Sequence, residues 1–316
     1  MAGRCRRSEK DVAKEKLELV EVSPRDGLQN EPDIVSTENK VAIIAHIEAA
    51  GFRRLEAASF VNPKKVPQMA DGDAVFARIR ANDHYKNGDI SYIALALNLR
   101  GVERALAAGA KEINYVFCAS DGFSIRNNGG TVDETFKVWP DVAAMAKQSG
   151  ARLSATISTA FGCPFDGEVS VRRVVEVAER CVGQSIFELA IADTIGVGAP
   201  SDVHERVRAV KAVLPAGVEL RAHFHNTRNT ALANAVAALE EGVRVLDGSL
   251  AGIGGCPFAP GAAGNVPTED LLYMFTRMGF DTGVDLDEAI EAAHFIGEVL
   301  GRQTPGMVSR APKWPR

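Results

Sequence analysis

The chain has 316 residues, 46% hydrophobic and 24% charged, which is enough for one large α/β domain with a single core. Its 36 basic and 41 acidic side chains leave a net charge of −5, so no overall positive field draws it onto nucleic acid or an anionic membrane. The longest apolar runs are strand-sized and broken by charges, which argues against a membrane-spanning helix.

The stretch 1–16 is polar, and its basic Arg4, Arg6, Arg7 and Lys10 are interrupted by Glu9, Asp11 and Glu15 with no apolar core behind them. It reads as a disordered or peripheral tail rather than a targeting segment. The catalytic barrel is expected over 17–302 and a C-terminal tail over 303–316. Five cysteines, Cys5, Cys118, Cys163, Cys181 and Cys256, are odd in number and scattered, without a C-x-x-C pair. Reduced thiols in a soluble cytoplasmic protein suit that pattern better than disulfides.

Strands are expected at Leu17–Val22, Arg53–Ser59, Ile90–Leu97, Glu112–Cys118, Arg152–Ser158, Ile186–Ala192, Val218–His225 and Val243–Leu250. Each is followed by a segment of helical period or one long enough to hold a helix. Eight such repeats predict a closed (β/α)8 TIM barrel rather than an open sheet, because no Gly-x-Gly-x-x-Gly follows the first strand. Such a barrel collects its chemistry where the strands end.

After the first strand comes Ser23-Pro24-Arg25-Asp26-Gly27-Leu28-Gln29-Asn30, in which Asp26 offers oxygen to a hard cation and Arg25 a charged hydrogen-bond fork. Pro24 and Asp26-Gly27 are also plain turn formers. Glu56 lies inside the second strand, where a carboxylate needs a partner. Asp193 follows the sixth and has a competing reading as a helix cap. Near the end of the seventh, His223 and His225 project from one face roughly 6–7 Å apart, close enough to share an ion. The eighth runs into 251–265, too rich in glycine and proline for a helix, hence a loop or lid at the same mouth. Cys256, between Gly255 and Pro257, reads as an accessible thiol. Cys163, between Gly162 and Pro164, ranks second.

Together Arg25-Asp26-Gly27-Leu28-Gln29-Asn30, His223-Phe224-His225, and Gly254-Gly255-Cys256-Pro257 with Gly264-Asn265 resemble the signature of the 3-hydroxy-3-methylglutaryl-CoA lyase family of metal-dependent aldolase-type barrels. The likeness runs from about Leu17 to about Arg302. It implies a divalent cation, Mg²⁺ or Mn²⁺, held by Asp26, His223, His225 and Asn265. It also implies Arg25 steadying an enolate oxygen, Cys256 as general acid/base, and Asp26, Glu56 and Asp193 as catalytic groups, with Gln29 beside Arg25 and Glu56 on the substrate side. The implied reaction is cleavage of the acyl-CoA to acetyl-CoA and acetoacetate, as in leucine catabolism, by a homo-oligomer, a dimer or tetramer.

The chain departs from that pattern after the histidines, reading His225-Asn226-Thr227-Arg228-Asn229 where the family usually continues His-Asp-Thr-Tyr-Gly. The change adds about two units of positive charge and makes Arg228 a candidate for a substrate carboxylate or a protein acid. A related substrate such as citramalyl-CoA therefore stays open. Lys64 and Lys65 are the candidates for CoA phosphates. A Claisen-condensing acyltransferase of the isopropylmalate synthase type normally carries a long C-terminal regulatory region, and only about a dozen residues follow Arg302. A non-catalytic barrel would be expected to lose members of the site set, and none is missing.

Overall fold

Eight parallel strands close on themselves in chain order in the computed structural model, which describes residues 14–255 and 264–313. They are β1 (Glu18–Glu21), β2 (Arg54–Ser59), β3 (Ser91–Ala96), β4 (Glu112–Cys118), β5 (Arg152–Ser158), β6 (Glu188–Asp193), β7 (Glu219–Phe224) and β8 (Val245–Gly248). The last pairs with the first from Glu18↔Val245 to Glu21↔Gly248, so the sheet has no open edge. All eight expected strands form, with ends within two residues of those anticipated.

Helices cover the outside of the barrel and account for the near-continuous burial of the strands; β2, β4 and β6 are buried at every position. The helix Val171–Cys181 shows how a sequence achieves this. Val174, Val177, Ala178 and Cys181 recur at helical spacing and are buried, while Ser170 caps the start by accepting from the Arg173 amide at 3.2 Å. Losing such a cap costs about 0.5–2 kcal/mol.

The inside of the barrel carries charged groups beside a small aliphatic cluster of Val20, Val22, Ile93 and Val245. Arg54 bonds Glu188 at 2.8 Å and Glu112 at 2.6 Å, and Arg221 lies 3.3 Å from Glu188 and 3.5 Å from Asp247. These groups come from β2, β4, β6, β7 and β8, so closing the barrel is what neutralises them. Breaking one partner away would leave an uncompensated buried charge, worth about 3–5 kcal/mol of destabilisation.

Both ends of the described chain are tied down. Glu15 bonds the Asp281 amide and Arg244, so the barrel begins before Leu17; residues 1–13 lie outside the described range. The stretch expected as a tail from 303 packs back on the barrel. Met307 and Val308 amides donate to Asp270, Ser309 Oγ to Glu269 at 3.0 Å, and the Gly306 amide to the Ala251 carbonyl at 3.2 Å. No helix among the described residues is long and apolar enough to cross a membrane.

Candidate active site

The first strand ends in a π-helical turn, Ser23–Gly27, in which the Val22 carbonyl accepts from the amides of Arg25, Asp26 and Gly27 at 3.2, 2.8 and 3.2 Å. Pro24, without an N–H, sits where no donor is needed. The turn carries Arg25 and Asp26 to the mouth, so the turn-forming and functional readings of this motif are one structure. Gly27 permits it: a Cβ there would lie 2.6 Å from Ser249 Oγ.

Arg25 forms ion pairs with both Asp26 and Glu56, its Nε donating to Glu56 at 2.7 Å. The other Glu56 oxygen accepts from Asn114 Nδ2 at 2.7 Å, and Thr156 donates to Asn114 at 2.9 Å. Burial works against the Asp26 charge, but the adjacent guanidinium prevails and holds its pKa well below the usual carboxylate range.

Donor atoms of Asp26, His223 and His225 all lie within 4.8 Å of one another. Asn265 joins them from the far end of the chain. The backbone beyond β7 pairs with 264–266 through Asn226 N to Gly264 O at 3.0 Å and Val266 N to Phe224 O at 3.1 Å. Asn265 Nδ2 then donates to Asp26 Oδ2 at 2.9 Å and to Ile253 O at 3.1 Å. Gly254, at φ +101°, lets the backbone pass between these groups; a Cβ there would sit 2.6 Å from Asn265 Nδ2 and 2.7 Å from the Asp26 carbonyl.

Two features of this cluster fit a divalent cation. Asn265 Oδ1 is buried with no hydrogen-bond partner among the described residues, an unfavourable state for an isolated polar atom, and His225 Nε2 lies 3.8 Å from Asp26 Oδ2. His223 Nδ1 is held by Asp247 at 2.6 Å, which frees Nε2. Burial opposes a charged His223, yet Asp247 outweighs it and raises the imidazole pKa, so the surroundings favour positive charge here. One carboxylate, one amide oxygen and two imidazoles suit Mg²⁺ or Mn²⁺.

The cluster opens into a cavity of about 640 Å³ whose lining includes Arg25, Asp26, Gln29, Glu56, His223, His225, Lys65, Arg126 and Asn128. That volume suits a small-molecule ligand.

The family model described as HMGL-like matches residues 16–296. The chain belongs to the HMGL-like family. Its relatives include the mitochondrial hydroxymethylglutaryl-CoA lyase of Rattus norvegicus, 42% identical over 94% of this chain and 89% of the relative. The (R)-citramalyl-CoA lyase of Chloroflexus aurantiacus is 41% identical over 96% and 97% of the two chains. The crystal structure of hydroxymethylglutaryl-CoA lyase from Pseudomonas aeruginosa matches with a TM-score of 0.87 at 40% identity, covering 94% of this chain and 97% of that one. The resemblance read from the motifs is thus the family to which the chain belongs.

The other expected site residues of this family member take varied places. Arg228 does not line the cavity: its Nη1 donates to the carbonyls of Ile195 and Gly196 at 3.1 and 2.8 Å, tying down the loop after β6. Asp193 is fully buried at the end of β6, where it accepts from the amides of Val197 and Gly198, both at 2.9 Å. Burial raises its pKa, against the pull of those two amides. Lys65 reaches the cavity wall, whereas Lys64 is exposed away from it. Cys163 is buried, its Sγ accepting from the amides of Phe165 and Asp166 at 3.4 and 3.3 Å, so it is not the accessible thiol its neighbours suggested. Cys256 lies outside the described residues; Gly255, just before it, lines the cavity.

Asp247 and Arg221 were not anticipated. The signal was available for the first: a carboxylate within Val245-Leu246-Asp247-Gly248 carries the same burial penalty that singled out Glu56.

Proposed function

We propose that the chain is a divalent-metal-dependent carbon–carbon lyase that cleaves 3-hydroxy-3-methylglutaryl-CoA to acetyl-CoA and acetoacetate. The observation that carries this reading is the convergence of Asp26, His223 and His225 donor atoms within 4.8 Å, beside the Arg25–Glu56 pair and open to one cavity. Family membership supports the reaction class.

Asp26, His223, His225 and Asn265 would hold the cation, which when bound lowers the pKa of a substrate hydroxyl and orients it. The hydroxyl proton is assigned to the Asp26 carboxylate, the bond between C2 and C3 breaks, C3 becomes the ketone of acetoacetate, and the electron pair passes to the thioester as an enolate. Arg25 presents a fixed positive charge to the enolate oxygen, and its ion pair with Glu56, itself held by Asn114, keeps it from turning away. Cys256 is assigned return of the proton to C2, which completes acetyl-CoA. Lys65, at the cavity wall, is the candidate for a CoA phosphate.

Citramalyl-CoA is the second reading, favoured by the Chloroflexus aurantiacus relative. The engagement of Arg228 by Ile195 and Gly196 removes the other argument for it. Incubating the Mn²⁺-loaded protein with each thioester decides between them: acetyl-CoA with acetoacetate supports the first, acetyl-CoA with pyruvate the second.

A further inference from the structure

Beside the cluster, Asp247 on β8 lines the same cavity, is 3% exposed and lies between His223 and Arg221. One carboxylate oxygen is 2.6 Å from His223 Nδ1, and the other is 3.5 Å from Arg221 Nε. Arg221 is 1% exposed, and its Nε also lies 3.3 Å from Glu188 while its Nη2 lies 3.8 Å from Glu56. The register of β7 on β8, Arg221↔Val245 and Ala222↔Leu246, creates this arrangement. Alternation along β7 puts Arg221 and His223 on one face, and β8 supplies Asp247 beside them.

A neutral imidazole has one N–H and one lone pair, so a hydrogen bond from Nδ1 to a carboxylate fixes the lone pair on Nε2 and fixes the ring direction. A carboxylate this deeply buried persists in one place only if a cation compensates it. Arg221 is that cation, and acids from two other strands, Glu188 and Glu56, lie 3.3 and 3.8 Å from it. His225 offers a contrast within the same site, because its Nδ1 has no partner among the described residues. The two imidazoles are thus not equivalent: His223 is aimed by side chains, and His225 by backbone pairing around it.

We propose that Asp247 is a positioning residue that sets the tautomer and direction of His223 for the metal, with Arg221 as the fixed cation that holds Asp247 to that task. The proposal rests on the metal-dependent reading of the site. A simple charge-neutralising role for Asp247 toward Arg221 predicts a different outcome, because stability would then change and metal affinity would not.

The test measures Mn²⁺ binding by electron paramagnetic resonance of the free ion, alongside thermal unfolding, for the wild-type chain, Asp247→Ala and Asp247→Asn. Asp247→Asn nearly preserves volume, so it serves even where the alanine variant does not fold; it removes the charge and lets the amide stabilise the wrong tautomer. The expected result is one Mn²⁺ site in each folded protein, with affinity about 10- to 100-fold weaker in the variants, the usual effect of removing a partner behind a metal ligand. Unchanged affinity in a folded variant overturns the positioning role. Absence of Mn²⁺ binding by the wild-type chain overturns the metal site itself.

Discussion

Nδ2 of Asn265 donates to Oδ2 of Asp26 at 2.9 Å, joining residues 239 positions apart. This bond closes the site between the turn after β1 and the chain beyond β8. It also leaves Asn265 Oδ1 buried without a partner among the described residues. Asn265→Ala is therefore expected to weaken Mn²⁺ binding and lower kcat together while thermal unfolding changes little, since the orphaned atom is removed along with the amide. Direct Mn²⁺ titration checks this; a variant with wild-type affinity places Asn265 in the scaffold alone.

Arg25 is predicted to act on kcat more than on KM. The interaction it supplies strengthens as negative charge develops, so Arg25→Gln is expected to lower kcat by about 10²–10³-fold, comparable to loss of a charge-stabilising donor elsewhere. Steady-state kinetics with saturating metal make the measurement. A change confined to KM would assign Arg25 to ground-state binding instead.

The two Gly-Cys-Pro cysteines are expected to differ. Cys256→Ser is expected to reduce cleavage by about 10²–10⁴-fold with Mn²⁺ affinity retained. Cys163→Ser should leave turnover nearly intact, because the Cys163 sulfur is buried against the amides of Phe165 and Asp166. Comparable activity losses in both variants would contradict this division.

Burial raises the pKa of Glu269 to about 8 and that of Glu21 to about 7. Each carboxyl binds its proton more tightly folded than unfolded, so the stability it contributes is fully present below its unfolded pKa of 4.5 and is lost as pH rises toward 7 and 8. The unfolding midpoint should fall between pH 5 and 8, by about 2–4 °C for each kcal/mol lost. Glu269→Gln should flatten that slope while keeping an acceptor for Ala251 or Ser309. A slope unaltered by the substitution would show that Glu269 does not titrate in this window.

The double change Asn226→Asp with Arg228→Tyr tests the departure after the histidines. Because Arg228 bonds the carbonyls of Ile195 and Gly196, the expected result is lower thermal stability with an unchanged ratio of kcat/KM between glutaryl and citramalyl thioesters. A shift of about tenfold or more in that ratio, equivalent to about 1.4 kcal/mol, would return Arg228 to the substrate.

The barrel was legible because buried parallel strands read as apolar runs and the helices between them carry their own period, so even the ends fell within two residues. Asp26 and the histidine pair were legible because each donor sits at a strand end. Asp247 and Arg221 were not, since their meaning arises only when β7 and β8 pair and an interior charge finds its partner. Arg228 was misplaced for a similar reason, as nothing local shows that two carbonyls from the loop after β6 come within its reach. Cys163 looked accessible between glycine and proline, but Cys163 and Gly167 pair through both backbone bonds and fold the sulfur inward.

The most direct test of metal-dependent thioester cleavage is product analysis on chelator-treated protein given 3-hydroxy-3-methylglutaryl-CoA before and after Mn²⁺ is restored. The site built from Asp26, His223, His225 and Asn265 predicts no cleavage without metal, and acetyl-CoA and acetoacetate in equal amounts once Mn²⁺ is added. Full cleavage by the metal-free protein, or none by the Mn²⁺-loaded one, would contradict it.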